Sequence, residues 1–292
     1  MRKSLSAKTI ERISMVVLGI AALLCILPVV NVFATAFSSA QAVDSGVVGL
    51  WPVEFSTESF MLLLEGTMAV RATWNSVVIT VVGTIICMVM TILAAYPLSK
   101  PYFVGNKFFT KMIVFTMLFS GGMIPTYIVV QKLGLIDSYW SLWLTGAINT
   151  YNMIVMRTFF NNIPTELEEA AIIDGCGELK LLARIYLPLS KPVLATLTLF
   201  YGVTHWNTFM NAMLYINSPE KQNLSVLVQQ MIKSMNVLTT ELATANPQDL
   251  QAITSSGLRA AGVVVMVIPM LLIYPFLQKY FVKGMMLGAV KG

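Results

Sequence analysis

Long uncharged apolar stretches alternate with short polar connections along the whole chain. A helix needs about 20 apolar residues to cross the hydrocarbon core of a bilayer. Strands of a membrane barrel would alternate polar and apolar residues, which these stretches do not do. The pattern therefore predicts an all-α membrane protein with six transmembrane helices, at residues 13–37, 73–97, 112–131, 138–156, 193–216 and 260–278.

Basic residues are distributed unequally between the two sets of connections. When the N-terminus is placed inside, all but five of the 19 Lys and Arg residues fall on that side. The five on the other side are Arg71, Lys132, Lys221, Lys233 and Arg259. Cytoplasmic connections carry the excess of Lys and Arg in membrane proteins. We therefore expect a multi-pass protein with both termini in the cytoplasm.

Composition narrows the class of partner. Only 11% of the residues are charged, against about 25% in a soluble domain, so the lipid bilayer is the expected environment. The net charge of +5 comes from residues at the ends of apolar stretches, without the stacking platform that single-stranded nucleic acid needs, so no nucleic acid partner is expected. The first apolar run is about twice as long as a signal-peptide core, which favours a retained helix over a cleaved signal.

The connection between the fourth and fifth spans, residues 157–191, carries the strongest signal. Thr165 followed by Glu168 predicts a capping box at a helix start, and Gly175 predicts the helix end. We expect a helix from Glu166 to Asp174, about 14 Å long at about 1.5 Å per residue. Such a helix is too short to be stable alone and needs a partner surface. Packing on its own bundle is the alternative.

Proline and glycine predict interruptions elsewhere. A second short helix, Glu178–Tyr186, is expected to stop before Leu187-Pro188, because a residue that precedes proline leaves the helical region. Gly121-Gly122 and Pro125 lie near the middle of the third span. A broken helix at bilayer depth is tolerated where the freed backbone lines a cavity or is buried in protein. A proline kink packed against a neighbour is the other interpretation.

The same connection carries a resemblance. Glu169-Ala170-Ala171, Asp174-Gly175 and Leu187-Pro188 resemble the EAA loop of ABC importer permeases, of the carbohydrate (maltose-permease-like) type. Trp206-Asn207 and the C-terminal residues 280–292 are also similar to that group. Cys176 and Leu182 depart from its usual pattern. The resemblance implies that the residues coupling the chain to a cytoplasmic ATPase are Glu169, Ala170, Ala171, Asp174, Gly175, Leu187 and Pro188.

The resemblance also implies a function. The chain would be a transmembrane permease subunit, in a bacterial cytoplasmic (inner) membrane, of an ATP-driven importer for an oligosaccharide. Expected partners are a second homologous permease subunit, two ATPase subunits and an extracytoplasmic solute-binding protein. The sequence has no G-x-x-x-x-G-K-[ST] phosphate-binding loop. ATP and Mg are therefore expected on the partner ATPase subunits, with no cofactor and no enzyme activity in this chain.

Polar side chains inside the spans are candidates for the substrate pathway. Such groups are costly in a membrane unless they face a cavity or a partner helix. Sugar sites combine aromatic faces with a few polar groups. The hypothesis is a pathway lined by Tyr201, Trp206, Asn207, Asn211, Asn152 and Tyr127. Hydrogen bonding between helices is the alternative. His205, the single histidine, is expected to be a packing residue, and no metal site is expected.

Three other functions compete with this interpretation. An ABC permease for another solute class, such as peptides or amino acids, differs only in cargo, and only the likeness to carbohydrate permeases disfavours it. An ATP-independent secondary transporter predicts buried charges or an inverted repeat. A membrane enzyme predicts paired carboxylates or a His/Asp/Glu cluster in the spans. Neither sequence pattern is present in the predicted spans.

Overall fold

The computed structural model describes residues 5–65, 68–119, 121–230, 233 and 255–289 of the chain. In that part the regular structure is helical, and the only β-pairing is an isolated bridge between Ser38 and Phe55. Lipid supplies no hydrogen bonds to the backbone, so a helix, which pairs its own N–H and C=O groups, is the expected element. The all-α class predicted from the sequence is confirmed for the described residues.

The length of each helix follows the length of the apolar stretch that forms it. In chain order they are α1 (Leu5–Ala36), α2 (Ala40–Asp44), α3 (Glu58–Glu65), α4 (Ala69–Ser99), α5 (Asn106–Leu118), α6 (Met123–Lys132), α7 (Trp140–Leu144), α8 (Thr150–Asn161), α9 (Thr165–Ile173), α10 (Glu178–Leu181), α11 (Leu187–Leu189), α12 (Lys191–Trp206) and α13 (Met210–Tyr215). A π turn at Leu182–Tyr186, a 3-10 turn at Pro219–Lys221 and a last helix at Ser255–Ala289 complete the series. Residues 224–230 are also helical.

The chain forms two units: Met1–Val70 with Leu227–Ile268, and Arg71–Val226 with Pro269–Gly292. In the first unit, small residues of the last helix pack closely against neighbouring side chains. Ala261 is fully buried and packs with Leu63. A Cβ atom added to Gly262 would lie 2.9 Å from the Val228 side chain. Small residues of this kind let membrane helices approach closely.

The second unit has two buried clusters of apolar side chains. One is built around Cys87, Phe160 and Leu197, and joins α4, α8, α12 and the 157–191 connection. The other contains Ile79 and Tyr215. Both clusters use α4, which runs as one helix of 31 residues. This helix is therefore the common element on which the rest of the second unit is assembled.

Few of the helices are long enough to cross a bilayer unbroken. Among the described residues, Glu11–Ala36 of α1 and the whole of α4 qualify by length and composition, and α5 with α6 make a third span if the pair is counted together. Residues 11–30 are exposed throughout. In the last helix, Ser256–Leu272 is a shorter apolar stretch. The spans expected at 138–156 and 193–216 each contain two helices, α7 with α8 and α12 with α13.

Local chemistry accounts for these divisions. The predicted break in the third span is present, because α5 and α6 are bent by 115° and Gly122 between them has a φ of 86°, which favours glycine. In the fourth span, the Asn149 side chain accepts a hydrogen bond from Asn152 N at 3.1 Å, so α8 starts anew there. In the fifth, Asn223 donates to the Thr208 carbonyl between α12 and α13.

The short helix predicted at Glu166–Asp174 is found as α9, one residue earlier, at Thr165–Ile173. It begins after Pro164, and no side chain caps its first turn. The predicted capping box is therefore wrong. The Glu168 carboxylate pairs with Lys100 instead of with the backbone at the helix start.

The predicted end of this helix is confirmed. Gly175 has a φ of 73°, and its N–H donates to Ile172 O at 3.0 Å. Cys176 N donates to Ala171 O at 2.9 Å. These two bonds form a Schellman motif, in which the left-handed residue is usually glycine.

The expected stop before Leu187-Pro188 is wrong. The helical backbone passes from α10 through the π turn into α11, and Leu187 N donates to Leu182 O, five residues back. Proline has no N–H and its ring crowds the preceding turn. A widened π turn at this point relieves that crowding and lets the helix continue.

Candidate functional site

Helix α9 presents a largely exposed surface. Ile173 is 85% exposed, and Leu167 and Ile172 are also exposed. Leu179, at the start of the next helix, is 79% exposed. Exposed apolar side chains gathered on one short polar connection are typical of a surface that docks a partner.

The residues that the resemblance assigns to coupling fall into two groups. Ala171 and Leu187 are partly buried and pack against the core of the second unit. The other five are exposed: Glu169, Ala170, Asp174, Gly175 and Pro188. Glu169 and Ala170 thus lie on the surface of α9 and Asp174 lies directly after its end, whereas Leu187 belongs to the packing behind the helix.

A buried cation holds the inner side of α9. Lys100, directly after α4, is 3% exposed, and its Nζ lies 2.7 Å from Glu168 Oε1. The same Nζ donates to Tyr186 Oη at 2.7 Å, and Tyr186 Oη donates to Glu168 Oε2 at 2.7 Å. Lys100 Nζ also lies 4.1 Å from the centroid of the Tyr186 ring and 4.8 Å from that of Tyr96. Cations are attracted to aromatic faces at these distances.

A second carboxylate extends this arrangement to α10. Glu178 accepts a hydrogen bond from Tyr96 Oη at 2.6 Å and another from Tyr102 Oη at 2.9 Å. Tyr102 Oη also lies 3.3 Å from Glu168 Oε1. We call this group the Lys100 cluster; its members are Lys100, Glu168, Tyr186, Tyr96, Tyr102 and Glu178. It ties α9 and α10 to the end of α4.

Electrostatics fix the protonation states in the cluster. Burial raises the pKa of Glu168, but hydrogen bonds from Lys100 and Tyr186 outweigh burial and the net pKa is lowered. Burial, together with the hydrogen bond to the Glu168 carboxylate, raises the pKa of Tyr186. Burial and the hydrogen bond to Glu178 do the same for the pKa of Tyr102. At neutral pH the Glu168 carboxylate is therefore ionised and both phenols remain donors.

An open groove of about 750 Å³ lies beside the cluster, and Lys100, Lys107, Arg157 and Glu168 are among its lining residues. Arg157 Nε donates to Leu98 O at 2.7 Å. It thereby satisfies a carbonyl at the end of α4, where helices leave such groups unpaired. The end of α4 is thus held by α8 as well as by α9. Among the described residues, no three His, Cys, Asp or Glu side chains are grouped so that they could hold a metal ion.

The proposed pathway residues lie in different places. Tyr201 is buried, its hydroxyl 2.6 Å from Thr91 Oγ1. Trp206 and Asn152 are also buried. Tyr127 is partly buried and stacks on Tyr215, with 6.1 Å between ring centroids.

The two remaining pathway residues are at the surface. Asn207 ends α12, Asn211 lies in α13, and both side chains are exposed. The six residues therefore differ in exposure: four are buried or partly buried and two are exposed. Tyr201 takes part in hydrogen bonding between helices, which is the alternative role that the sequence leaves open.

His205 is packed tightly against α4. Its ring is buried, with Nε2 3.3 Å from Cys87 Sγ, and a Cβ atom added to Gly83 would lie 2.8 Å from Cε1 and Nε2 of His205. We expect Gly83→Ala to destabilise the protein by about 1–3 kcal/mol, because overpacking a close-packed core forces side chains and backbone to shift. The measurement is the midpoint temperature of thermal unfolding in detergent, monitored as the loss of monodisperse protein.

Gly202→Ala is the matched control. Its added Cβ would meet only Thr84 Oγ1, at 3.8 Å, an ordinary contact, so its midpoint should remain near that of the wild type. The double variant Gly83→Ala with His205→Ala should lose less stability than the sum of the losses of the two single variants. The reason is that the His205 ring, with which the added Cβ collides, is absent. Additive losses would show that the ring is not what excludes a side chain at Gly83.

The Lys100 cluster was not anticipated from the sequence. Lys100 reads as one more basic residue at the cytoplasmic end of a span, and Glu168 reads as part of a capping box. The available signal is the spacing of Tyr96 and Lys100, four residues apart at the end of a helix, where side chains share a face. That spacing pairs an aromatic ring with a cation, but it does not indicate the partner on α9.

Comparison with known proteins places this arrangement in a family. Residues 98–287, which include α9 and every member of the Lys100 cluster except Tyr96, match the family described as binding-protein-dependent transport system inner membrane component. The chain belongs to this family. The permease is 44% identical over 274 residues to the polygalacturonan/rhamnogalacturonan transport system permease protein YtcP of Bacillus subtilis (strain 168), with 93% of this chain and 94% of YtcP covered.

Two further comparisons extend over nearly the whole permease. Protein LplC of Bacillus subtilis (strain 168) is 38% identical over 294 residues, covering 100% of this chain and 98% of LplC. A chain in the crystal structure of a bacterial ABC transporter involved in the import of the acidic polysaccharide alginate is 33% identical. It matches with a TM-score of 0.85 over 96% of this chain and 99% of that chain. The likeness is thus one of whole chains and not of the 157–191 connection alone.

Proposed function

We propose that this permease is the transmembrane subunit of an ATP-driven importer that translocates an oligosaccharide delivered by an extracytoplasmic solute-binding protein. Family membership supports import with a binding protein. The similar proteins named for a cargo support a carbohydrate, since YtcP is named for polygalacturonan/rhamnogalacturonan and the solved transporter for alginate. Because alginate is acidic and polygalacturonan consists of uronic acid units, an acidic oligosaccharide is the first cargo to test.

The observation that carries the proposal is the exposed apolar surface of α9. Leu167, Ile172 and Ile173 are exposed on a helix whose inner side is tied to the bundle. The chain carries no phosphate-binding loop of its own, so a separate ATPase subunit with ATP and Mg is the partner we propose for this surface. Glu169 would lie at the polar edge of the contact.

The proposed assembly follows from the same features. Six spans, with breaks in the third, fourth and fifth, would place α9 as the cytoplasmic coupling helix and both termini in the cytoplasm of a bacterium. A second homologous permease and two ATPase subunits would complete the complex in the cytoplasmic membrane. The exposed, uncharged and mainly apolar residues 13–30 of α1 support this, because they need lipid or a partner helix around them.

Within this assembly, the polar residues of the spans take separate parts. The exposed amides of Asn207 and Asn211 and the partly buried ring of Tyr127 are proposed to contact the sugar. Tyr201, Trp206 and Asn152 are buried and are proposed to support that surface from behind. Amides and an aromatic face are the groups that bind a polar ligand with both hydroxyl and apolar faces.

Co-purification and reconstitution test the proposal. The tagged permease is expected to bring down an ATPase subunit and a second permease from detergent. Proteoliposomes with the binding protein are expected to take up oligogalacturonides when ATP is present on the ATPase side. Maltodextrins and a tripeptide serve as cargo controls. Purification as a homo-oligomer without an ATPase, or uptake that needs no ATP, would overturn the proposal.

A further inference from the structure

Few side chains attach α9 to the rest of its own chain. The helix has nine residues, too few to be stable alone in water. On it, only Glu168 and Ala171 are withdrawn from solvent, and the rest of the described helix is exposed. Since Ala171 makes only a small apolar contact, Glu168 is the side chain that can fix the position of α9 on the bundle.

The contacts of Lys100 are directional. Its ammonium group has three protons, and two acceptors, Glu168 Oε1 and Tyr186 Oη, each lie 2.7 Å away. The aromatic faces of Tyr96 and Tyr186 lie on the same cation. An apolar contact of the same area would allow sliding, because the hydrophobic effect has no preferred direction. The hydrogen bonds of Lys100, together with its charge enclosed by the two aromatic rings, therefore fix a single position of α9.

The elements joined at this point are those that lead into the membrane bundle. Lys100 follows directly on α4, a continuous helix of 31 residues. Tyr186 ends the π turn that leads through α11 to α12. Glu178 of α10 is bonded to Tyr96 of α4 at 2.6 Å. A displacement of α9 therefore has a direct mechanical path to α4 and α12.

We propose that Lys100 is the positioning residue that transmits motion of α9 to the spans, by fixing Glu168 at the end of α4 between Tyr96 and Tyr186. The inference rests on the proposed function, since it assumes that a nucleotide-driven partner moves α9. The attachment of α9 to its own chain is then a joint that depends on the charges of Lys100 and Glu168. Without that joint, movement of α9 is absorbed within the 157–191 connection.

The test uses the full complex in proteoliposomes and measures sugar imported per ATP hydrolysed. In Lys100→Met we expect the ATPase subunits to co-purify as in the wild type and ATP to be hydrolysed. The import-to-hydrolysis ratio should fall about tenfold, within the usual range of coupling between sites. Lys100→Arg keeps the cation but changes its shape and hydrogen-bond geometry, so its ratio should lie between that of Lys100→Met and that of the wild type.

Lys107→Met is the matched control. Lys107 is an exposed lysine lining the same groove, and its removal takes one positive charge from the same region without touching the Lys100 cluster. Its ratio should equal that of the wild type. A lowered ratio here would attribute the effect to the net charge of the groove and would overturn the inference.

A double variant keeps the test decisive if the single change impairs folding. Lys100→Met with Glu168→Gln leaves no buried charge unpaired and should assemble. Its ratio should still be about tenfold below the wild type, because the joint is absent. An import-to-hydrolysis ratio equal to that of the wild type in the double variant would show that the cluster is merely structural. The same conclusion would follow if Lys100→Met lowered only the unfolding midpoint and left the ratio unchanged. Failure of the proposed function itself looks different, because the wild-type permease would then lack an ATPase partner.

Discussion

Gly175→Val is expected to reduce ATP-driven uptake to a small fraction of the wild type while the permease remains in the membrane. Gly175 has a φ of 73°, and the left-handed region costs an ordinary residue about 1–2 kcal/mol and a β-branched residue more. A Cβ at Gly175 would meet nothing within 4 Å. The cost is therefore backbone strain alone, which is relieved by rebuilding the end of α9 where Ile173 and Asp174 are displayed.

The matched control is the same substitution two residues further on. Gly177 also has open space around it, but its φ is −77°, which any residue adopts. Gly177→Val should keep most of the uptake, and Gly175→Asn should fall between the two, because asparagine tolerates the left-handed region. Uptake in proteoliposomes and the amount of permease in the membrane fraction are measured together. Equal uptake by both valine variants would contradict a role for the shape of this turn.

The sequence predicts most of what local chemistry determines. Helix α9 was expected from Thr165, Glu168 and Gly175, and although the capping box was wrong, the helix lies within one residue of the expected bounds. The break near Gly121-Gly122 was also expected. These features depend on the preferences of a few consecutive residues, and such preferences can be read without knowledge of the fold.

Features at which two local solutions compete were missed. Hydropathy predicts one apolar stretch over 138–156 but cannot show that Asn149 caps a new helix inside it. The expected helix end at Leu187-Pro188 failed because a π turn relieves the proline. Local preference is overridden when the surrounding structure supplies another solution.

The Lys100 cluster shows most clearly why a site is harder to predict than a helix. Lys100 and Glu168 are 68 positions apart in the sequence, and each has a sufficient local explanation: a basic flank for the first and a capping box for the second. Both explanations use only neighbouring residues. The buried ion pair becomes visible only when α4 and α9 are placed together.

The surface of α9 leads to the second large effect, which is expected from Ile173→Asp. Ile173 is 85% exposed in the permease, so this change should alter the chain's own stability by no more than about 0.5 kcal/mol. In the complex, an apolar anchor buried by a partner contributes at least about 2 kcal/mol, or about thirtyfold in affinity. The ATPase subunit should therefore no longer co-purify, although insertion and the unfolding midpoint are unchanged.

Val47→Asp provides the control, since Val47 is another exposed β-branched apolar side chain, 60% exposed in the connection between α2 and α3. Under the proposed topology it lies on the opposite side of the membrane, and the ATPase should co-purify as before. The comparison also separates docking from transmission. Ile173→Asp should lose the ATPase itself, whereas Lys100→Met should keep the ATPase and lose only the sugar moved per ATP. Normal recovery of the ATPase with Ile173→Asp would mean that α9 is not the docking surface, because a buried aspartate cannot replace an isoleucine without cost.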